Sequence, residues 1–352
     1  MKYAFVGGGT MGPVTPLIAV YQTLRARHAD AAFCWLGTEA GPEKPVIQAL
    51  DVPFFAFSVA KLPRYPSICW FTWPKDIYRA YIEARRILIL ERPDMVIGAG
   101  GFTAFPVAVA AKRLKIPVVL HQLDVLPGLT NRLVAPFASL ITSSFAYDSS
   151  PFIGSNTVQV IATPVRFASD RPTREAAAQV FGLDPVKPIV LIVGGGTGAQ
   201  ALNEAFLAKQ DTWFKEMQVI HVSGKGKKAA ESSYEFLDAE RMLAAYAAAD
   251  VIVTRAGLGA LSEIVAMQKP CVIVPIPSTQ QEANAKAFAD ADAAIVLDQR
   301  DPGFASMLHA CVLALVQRPA EAKKLVAQYQ SVMTTDGGNA FADKLEQLGH
   351  SL

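Results

Sequence analysis

The sequence predicts an α/β protein made of two doubly wound parallel domains, and three observations carry that reading. Short apolar runs rich in β-formers alternate with amphipathic helical stretches along the chain. One opening, a strand followed by a glycine turn and a helix, occurs twice, as AFVGGGTMG at 4–12 and LIVGGGTGA at 191–199. The length of 352 residues suits two domains of ~150 residues rather than one. Strand candidates run over 3–6, 32–36, 53–57, 94–98, 117–121 and 138–142, then over 189–193, 218–222, 250–254, 271–275 and 294–297. Because these runs are apolar on both faces, they read as parallel strands covered by helices on each side. Helical patterns occupy 75–91, 103–114, 200–209, 259–268 and 281–289. A stretch bearing prolines and charges, Thr163 to Lys187, separates the two strand sets. The domains are therefore drawn as 1–163 and 164–333, joined near Thr163–Arg166. The tail, 302–349, reads as helix without a further strand and can pack on either domain.

Composition narrows the function. Hydrophobic residues make up 51% of the chain and charged ones 18%, below the roughly 25% charge of an average globular protein, which excludes intrinsic disorder. Lys+Arg 33 against Asp+Glu 31 leaves a net +2, too balanced for a nucleic-acid binder that works by bulk charge. No apolar run approaches the roughly 18 residues of a membrane span. Cys34, Cys69, Cys271 and Cys311 form no CxxC pair. That argues against a zinc site or disulfide framework and fits a reducing, intracellular compartment.

Motifs cluster where strands end, which is where open parallel sheets bind ligands. Gly7, Gly9 and Gly12 match GxGxxG, yet the second strand ends in Gly37-Thr38 without the acid that a dinucleotide ribose needs. GAGGF at 98–102 is a third glycine turn, and HQLDVLPGLTN at 121–131 follows another strand. His121 is either a backbone-bonded strand end or part of a site with Gln122 and Asp124. HVSGKG at 221–226 lacks the spacing of a Walker A loop. In TRAGLGALSE at 254–263, Glu263 falls about one turn into a helix. There it either caps and faces solvent or receives the two hydroxyls of a ribose. STQQEANA at 278–285 offers adjacent amides, and Asp290-Ala291-Asp292 reads as solvated surface. Finally, 61–92 interleaves Tyr65, Trp70, Phe71, Trp73, Tyr78 and Tyr81 with Lys61, Arg64, Lys75, Arg79, Arg85, Arg86 and Arg92. Such a mixture suits an anionic membrane surface or, equally, a helix that caps its own sheet.

The ordered series GGGTMG, LGT, GAGGF, HQLD…PGLTN, TPVR, GGGTGA, HVSGKG, RAG…SE and QQ…NA resembles the MurG family of bacterial glycosyltransferases, glycosyltransferase family 28, over about residues 2 to 300. The resemblance implies a GT-B fold, two Rossmann-like domains facing a central cleft, with a terminal helix (about 334–352) crossing back to the first domain. It implies an inverting transfer of N-acetylglucosamine from UDP-N-acetylglucosamine to lipid I, giving lipid II for peptidoglycan. No cofactor, metal or nucleic acid is implied, and the location is the cytoplasmic face of the membrane, held peripherally. By the same resemblance Glu263 binds the ribose, and Gln280 and Gln281 contact the sugar hydroxyls. Arg166, Gly195 and Gly196 surround the diphosphate. Leu237 occupies the uracil loop, and Leu258, Gly259 and Ala260 supply amides at a helix start. Gly9, Thr10 and Gly12 form an acceptor-side phosphate loop, with Gly100, Gly101 and Asn131 also on the acceptor side.

The chain departs from that pattern at three places. Pro13 stands where the family has a His, Asp124 where it has an amide, and Gly196 where it has a Ser. Asp124 or His121 is therefore expected as the base that deprotonates the acceptor hydroxyl. Other readings are a sugar-nucleotide epimerase or hydrolase on this fold, a transferase with another lipid acceptor, an NAD-dependent oxidoreductase, and a non-catalytic sugar-nucleotide binder.

Overall fold

The structure is a computed structural model and describes residues 1–60, 69–147, 149–152, 158–167, 171–195, 199–227, 230 and 233–351. The chain divides into two compact units, Met1–Arg166 with Asp336–Leu352, and Phe167–Thr335.

The first unit is built on a seven-stranded sheet. Its strands are β1 (Lys2–Val6), β2 (Ala32–Gly37), β3 (Phe54–Ala56), β4 (Met95–Gly98), β5 (Val118–Gln122), β6 (Leu140–Ser143) and β7 (Val158–Val160). They lie in the order β3-β2-β1-β4-β5-β6-β7, every pair parallel. Helices α1 (Thr15–Arg27), α2 (Glu43–Gln48), α3 (Cys69–Glu91), α4 (Ala104–Arg113) and α5 (Leu129–Val134) connect them. A two-residue strand, β8 (Thr163–Pro164), closes this part of the chain.

The second unit carries β9 (Ile189–Val193), β10 (Gln218–Val222), β11 (Val251–Thr254), β12 (Cys271–Ile273) and β13 (Ile295–Val296) in the order β10-β9-β11-β12-β13, again all parallel. Its helices are α6 (Arg174–Gln179), α7 (Gln200–Leu207), α8 (Gln210–Glu216), α9 (Ala239–Ala248), α10 (Leu258–Met267), α11 (Gln280–Asp290), α12 (Phe304–Gln317), α13 (Pro319–Ala327) and α14 (Tyr329–Val332). Its core joins Val190, Ile192 and Val253 of the sheet to Phe206, Trp213 and Leu308 of the helices. Two parallel sheets with helices between their strands are what the alternating pattern predicts.

The tail departs from expectation. It is not helix alone, because Thr335–Asp336 forms β14, which pairs with β8 before the last helix, α15 (Asn339–His350). Two residues carry too little pattern to read as a strand. The Val165 amide donates to the Asp336 carbonyl at 2.8 Å. The Asp336 carboxylate then accepts from the amides of Gly338 (2.7 Å) and Ala340 (2.8 Å), starting the helix. Gly338 has φ +93°, and a Cβ there would lie 3.1 Å from the Ala19 backbone, so only glycine allows this approach to α1. Phe341, Ala342 and Leu345 then enter the core around Phe5, Trp35 and Ile97. Arg27 adds a 2.6 Å bridge to Asp343. Strand β7 also lies outside the expected set, since VQV is only three residues long with a polar residue at its centre.

Asp290-Ala291-Asp292 follows α11, and Asp290 pairs with Lys286 at 2.7 Å. Among the described residues no helix is long and apolar enough to cross a membrane. The expected membrane segment is described only from Cys69 on, so Lys61, Arg64 and Tyr65 lie outside the described residues.

His121 is among the polar residues that this architecture encloses completely. It is fully buried near the end of β5. Its Nδ1 lies 3.0 Å from the Thr142 hydroxyl and its Nε2 3.4 Å from that of Ser144. The ring packs 5.1 Å from Phe341 of α15. Burial pushes its pKa down from 6.5 to about 3. The charged ring is therefore excluded from the fold while it is tolerated in the unfolded chain, and the unfolded state binds the extra proton between those two values. Stability should fall as pH drops below 6.5 towards 3, by up to about 1.4 kcal/mol per pH unit. Denaturant unfolding at pH 7.5 and at pH 5 measures this. His121→Asn, which does not titrate, should lose less of its stability over that interval than the parent.

Candidate functional site

In the second unit the strand order reverses between β9 and β11, so the loops leaving these two neighbours diverge and open a crevice. Gly194 and Gly195 begin the loop after β9. Gly195 has φ +83°, and a Cβ there would meet no described atom within 4 Å. Gly196 lies outside the described residues. Gly257 caps α10, and its carbonyl receives the amides of Ala260 and Leu261 at 3.0 Å each. The Leu258 and Gly259 amides come before the first intrahelical bonds and stand at the positive end of the helix dipole. Glu263 sits in the second turn of α10 and is 3% exposed.

Flanking loops are braced from beneath. Arg255, 8% exposed, donates through Nη1 to the Val274 carbonyl (3.0 Å) and to Gln299 Oε1 (2.8 Å), while its buried Nε has no partner. Burial lowers its pKa. This side chain spans from the end of β11 to the end of β12, where the segment bearing Gln280 and Gln281 begins. Gln281 Oε1 accepts the Ile276 amide at 3.1 Å, and the Asn284 side chain donates to the Ala256 carbonyl at 3.0 Å. Gln280, the first residue of α11, is exposed.

A second brace holds the Leu237 segment. Asn203 Nδ2 donates to the Ser223 carbonyl (3.0 Å), which turns its Oδ1 to His221 Nε2 at 3.0 Å. That nitrogen therefore carries the ring proton, and Nδ1 accepts from the Ser233 hydroxyl at 2.7 Å. Burial pushes His221 down to about 4, so the ring is neutral. Tyr234 bridges to β10 through its amide and carbonyl. Leu237 is buried immediately before Asp238, which caps α9.

In the first unit the order reverses between β1 and β4, and two glycine turns meet there. Gly9 has φ +81°, and a Cβ would lie 2.3 Å from the Phe102 ring. A Cβ on Gly101 would lie 3.3 Å from both the Gly8 carbonyl and Pro13 Cγ. Pro13 thus packs on the second turn. Thr10 and Gly12 are exposed, but the Gly9 amide donates to Glu43 Oε2 at 3.1 Å and so is not free for a phosphate. Beside them, Asn131 Nδ2 donates to Gln122 Oε1 (2.6 Å), and Gln122 Nε2 to the Asp124 carbonyl (2.6 Å). This relay fixes the backbone of Asp124, which is half-buried. Asn131 itself is 7% exposed, and a Cβ on Gly100 would lie 2.9 Å from its Oδ1. His121 differs from expectation. Enclosed by Thr142, Ser144 and Phe341, it does not reach the surface, so it is unsuited to take a proton from a substrate.

Glu43, Asn203 and Arg255 were not among the residues singled out from sequence. Arg255 stood in the RAG motif without a role of its own, Glu43 and Asn203 in no motif, and the role of each shows only in the pairs it makes. Arg166, the last residue of the first unit, is half-buried.

Comparison with known proteins gives this arrangement a family. The glycosyltransferase family 28 N-terminal domain matches residues 3–143 and the family 28 C-terminal domain residues 189–336. A UDP-N-acetylglucosamine--N-acetylmuramyl-(pentapeptide) pyrophosphoryl-undecaprenol N-acetylglucosamine transferase of Legionella pneumophila (strain Lens) is 36% identical over 303 residues, 83% of each chain. One of the same name from Clostridium botulinum is 32% identical over 311 residues, 85% of this chain and 86% of that one. Among solved structures, MurG of Acinetobacter baumannii aligns over 98% of this chain and 99% of its own, with a TM-score of 0.70 at 23% identity. A UDP-GlcNAc 2-epimerase from Neisseria meningitidis aligns over 99% of each chain with a TM-score of 0.69 at 13% identity, a likeness of fold alone. With both family domains matched in order and relatives above 30% identity across most of its length, the chain belongs to glycosyltransferase family 28.

Proposed function

We propose that this protein is a hexosyltransferase that moves N-acetylglucosamine from UDP-N-acetylglucosamine to the lipid-linked muramyl sugar named in its relatives. The observation that carries the reading is the crevice of the second unit, where the start of a glycine turn, a helix N-terminus and a buried carboxylate stand within one β9–β11 switch. These are the parts that a nucleoside diphosphate sugar requires. Glu263 takes the ribose hydroxyls, and the Leu258, Gly259 and Ala260 segment with Gly195 takes the diphosphate; the family resemblance gives Arg166 and Gly196 the same ligand. Gln280 and Gln281 meet the sugar, and the Leu237 segment meets the uracil.

The first unit takes the acceptor, at Thr10, Gly12, Gly100, Gly101 and Asn131. In an inverting displacement the acceptor oxygen attacks the anomeric carbon, the bond to the diphosphate breaks, and the acceptor's proton passes to a base. Asp124 is that base. Its backbone is held by Gln122, and Pro13, where the family has a His, offers no titrating side chain. The leaving diphosphate gains negative charge, which helix-terminal amides and a guanidinium stabilise.

Attachment to a membrane surface fits helix α3. Ala80, Ala84 and Leu88 bury one face, while Tyr78, Ile82, Ile89 and Leu90 stand exposed among the exposed Arg79, Arg85 and Arg86. Apolar side chains flanked by arginines suit an anionic headgroup layer, each basic residue contributing ~1 kcal/mol. On this reading the protein is held peripherally at the cytoplasmic face of the membrane.

Product formation from UDP-N-acetylglucosamine and lipid I tests the whole reading, and absence of the disaccharide product ends it. Glu263→Ala should weaken UDP binding about ten- to hundredfold, the loss of a charge-assisted pair of roughly 1.5–3 kcal/mol. Calorimetry with UDP reads it, and parental affinity removes Glu263 from the site. Asp124→Asn should lower turnover at saturating acceptor by at least about a hundredfold with UDP affinity unchanged. A loss confined to the acceptor KM makes Asp124 a binding group instead. Replacing Tyr78, Ile89 and Leu90 by Ser should abolish sedimentation with anionic phosphatidylglycerol vesicles. Co-sedimentation equal to the parent makes this face of α3 a bystander.

A further inference from the structure

Glu43, the first residue of α2, is fully buried. Its Oε1 accepts from the Thr38 amide at 2.7 Å and from the Thr38 hydroxyl, and its Oε2 accepts from the Gly9 amide at 3.1 Å. Among the described residues no ion pair reaches it, so the carboxylate is held by neutral donors alone. The surrounding backbone is cleared for it. A Cβ on Gly8 would lie 2.3 Å from Oε1, one on Gly41 2.0 Å from Oε2, and one on Gly37 3.2 Å from Oε1. Three glycines, one after β1 and two at the end of β2 and the turn that follows it, thus make room for one side chain.

A glycine-rich turn after a parallel strand ordinarily presents its amides to a bound anion. Here a carboxylate from the chain itself has taken that place. It joins the turn after β1, through Gly9, to the turn after β2, through Thr38. From Gly9 the constraint passes to Phe102, which would collide with any side chain at position 9, and Gly101 packs in turn on Gly8 and Pro13.

We propose that Glu43 is a positioning residue for acceptor recognition, an internal anion that fixes the Gly7–Gly12 turn before any substrate arrives. The acceptor's diphosphate is therefore met by groups other than the Gly9 amide. This rests on the reading that the first unit takes the lipid-linked acceptor.

Glu43→Gln in the full chain is the test, because the amide keeps the size of the carboxylate but sets a donor against either the Gly9 or the Thr38 donor. Gly41→Ala, whose methyl group displaces Oε2, is the second variant should Glu43→Gln fail to fold. Two quantities are read: hydrogen exchange at the Gly9 and Thr38 amides without ligand, and the KM for lipid I and for UDP-N-acetylglucosamine separately. The expected result is faster exchange at those two amides and an acceptor KM raised about tenfold or more, since small displacements of positioning groups cost up to ~100-fold. The donor KM should stay within about twofold of the parent's. Unchanged exchange overturns the proposal, as does a parental acceptor KM, or a rise of both KM values together, which marks general loosening. A parent chain inactive towards lipid I overturns the functional reading and this proposal with it, whereas an active parent with an indifferent variant overturns the proposal alone.

Discussion

A parallel strand covered by helices on both faces has nowhere to place a polar side chain except at its ends. That constraint governs both sheets of this protein. Val190, Leu191 and Ile192, like Ala4 and Phe5, are buried on either side, and the chemistry collects where the strands stop. A polar group there is half enclosed, and leaving it unpaired costs roughly 1–3 kcal/mol. Three such groups are engaged by side chains or carbonyls of neighbouring segments: His121 by Thr142 and Ser144, His221 by Asn203 of α7 and Ser233, and Arg255, through Nη1, by Val274 and Gln299. The loops that bear the candidate site are thereby tied to the sheet edge by side chains, not only by their own backbone.

The repeated opening of the two units shows how one local pattern serves two electrostatic ends. GGGTMG and GGGTGA both follow a first strand and precede a helix. After β1 the turn is filled by Glu43 and roofed by Phe102. After β9, nothing among the described residues comes within 4 Å of a side chain added at Gly195. One turn is already occupied by a carboxylate of the chain itself, and Gly195 of the other has no such described neighbour. The repeat of sequence is therefore a repeat of fold, with the difference carried by a residue about thirty positions away.

The sheets were legible in the sequence because Val, Ile, Leu and Phe recur in short runs at regular intervals, and the motif series identified the family. Glu263 was placed on its helix by its distance from Gly257, which is local information. His121 was not separable from a catalytic histidine, since its enclosure depends on Phe341 more than two hundred residues later. Glu43 and Asn203 were silent, and the brace made by Arg255 of the RAG motif was hidden, for a related reason: burial and pairing between segments leave no periodic trace. Strand β14 escaped because two residues hold no alternation, and its existence depends on β8.

The return of α15 to the first unit has a consequence for how the protein is made. Phe341 and Leu345 complete a core begun by Phe5 and Trp35, yet all of Phe167–Thr335 is synthesised between them. As the polypeptide leaves the ribosome, the second unit has its whole core in one uninterrupted segment and can fold as soon as it emerges. The first must wait with an uncovered apolar groove along α1 until the final helix arrives. The earlier-made half is thus the later to mature, and it is the half that a chaperone or a protease meets exposed.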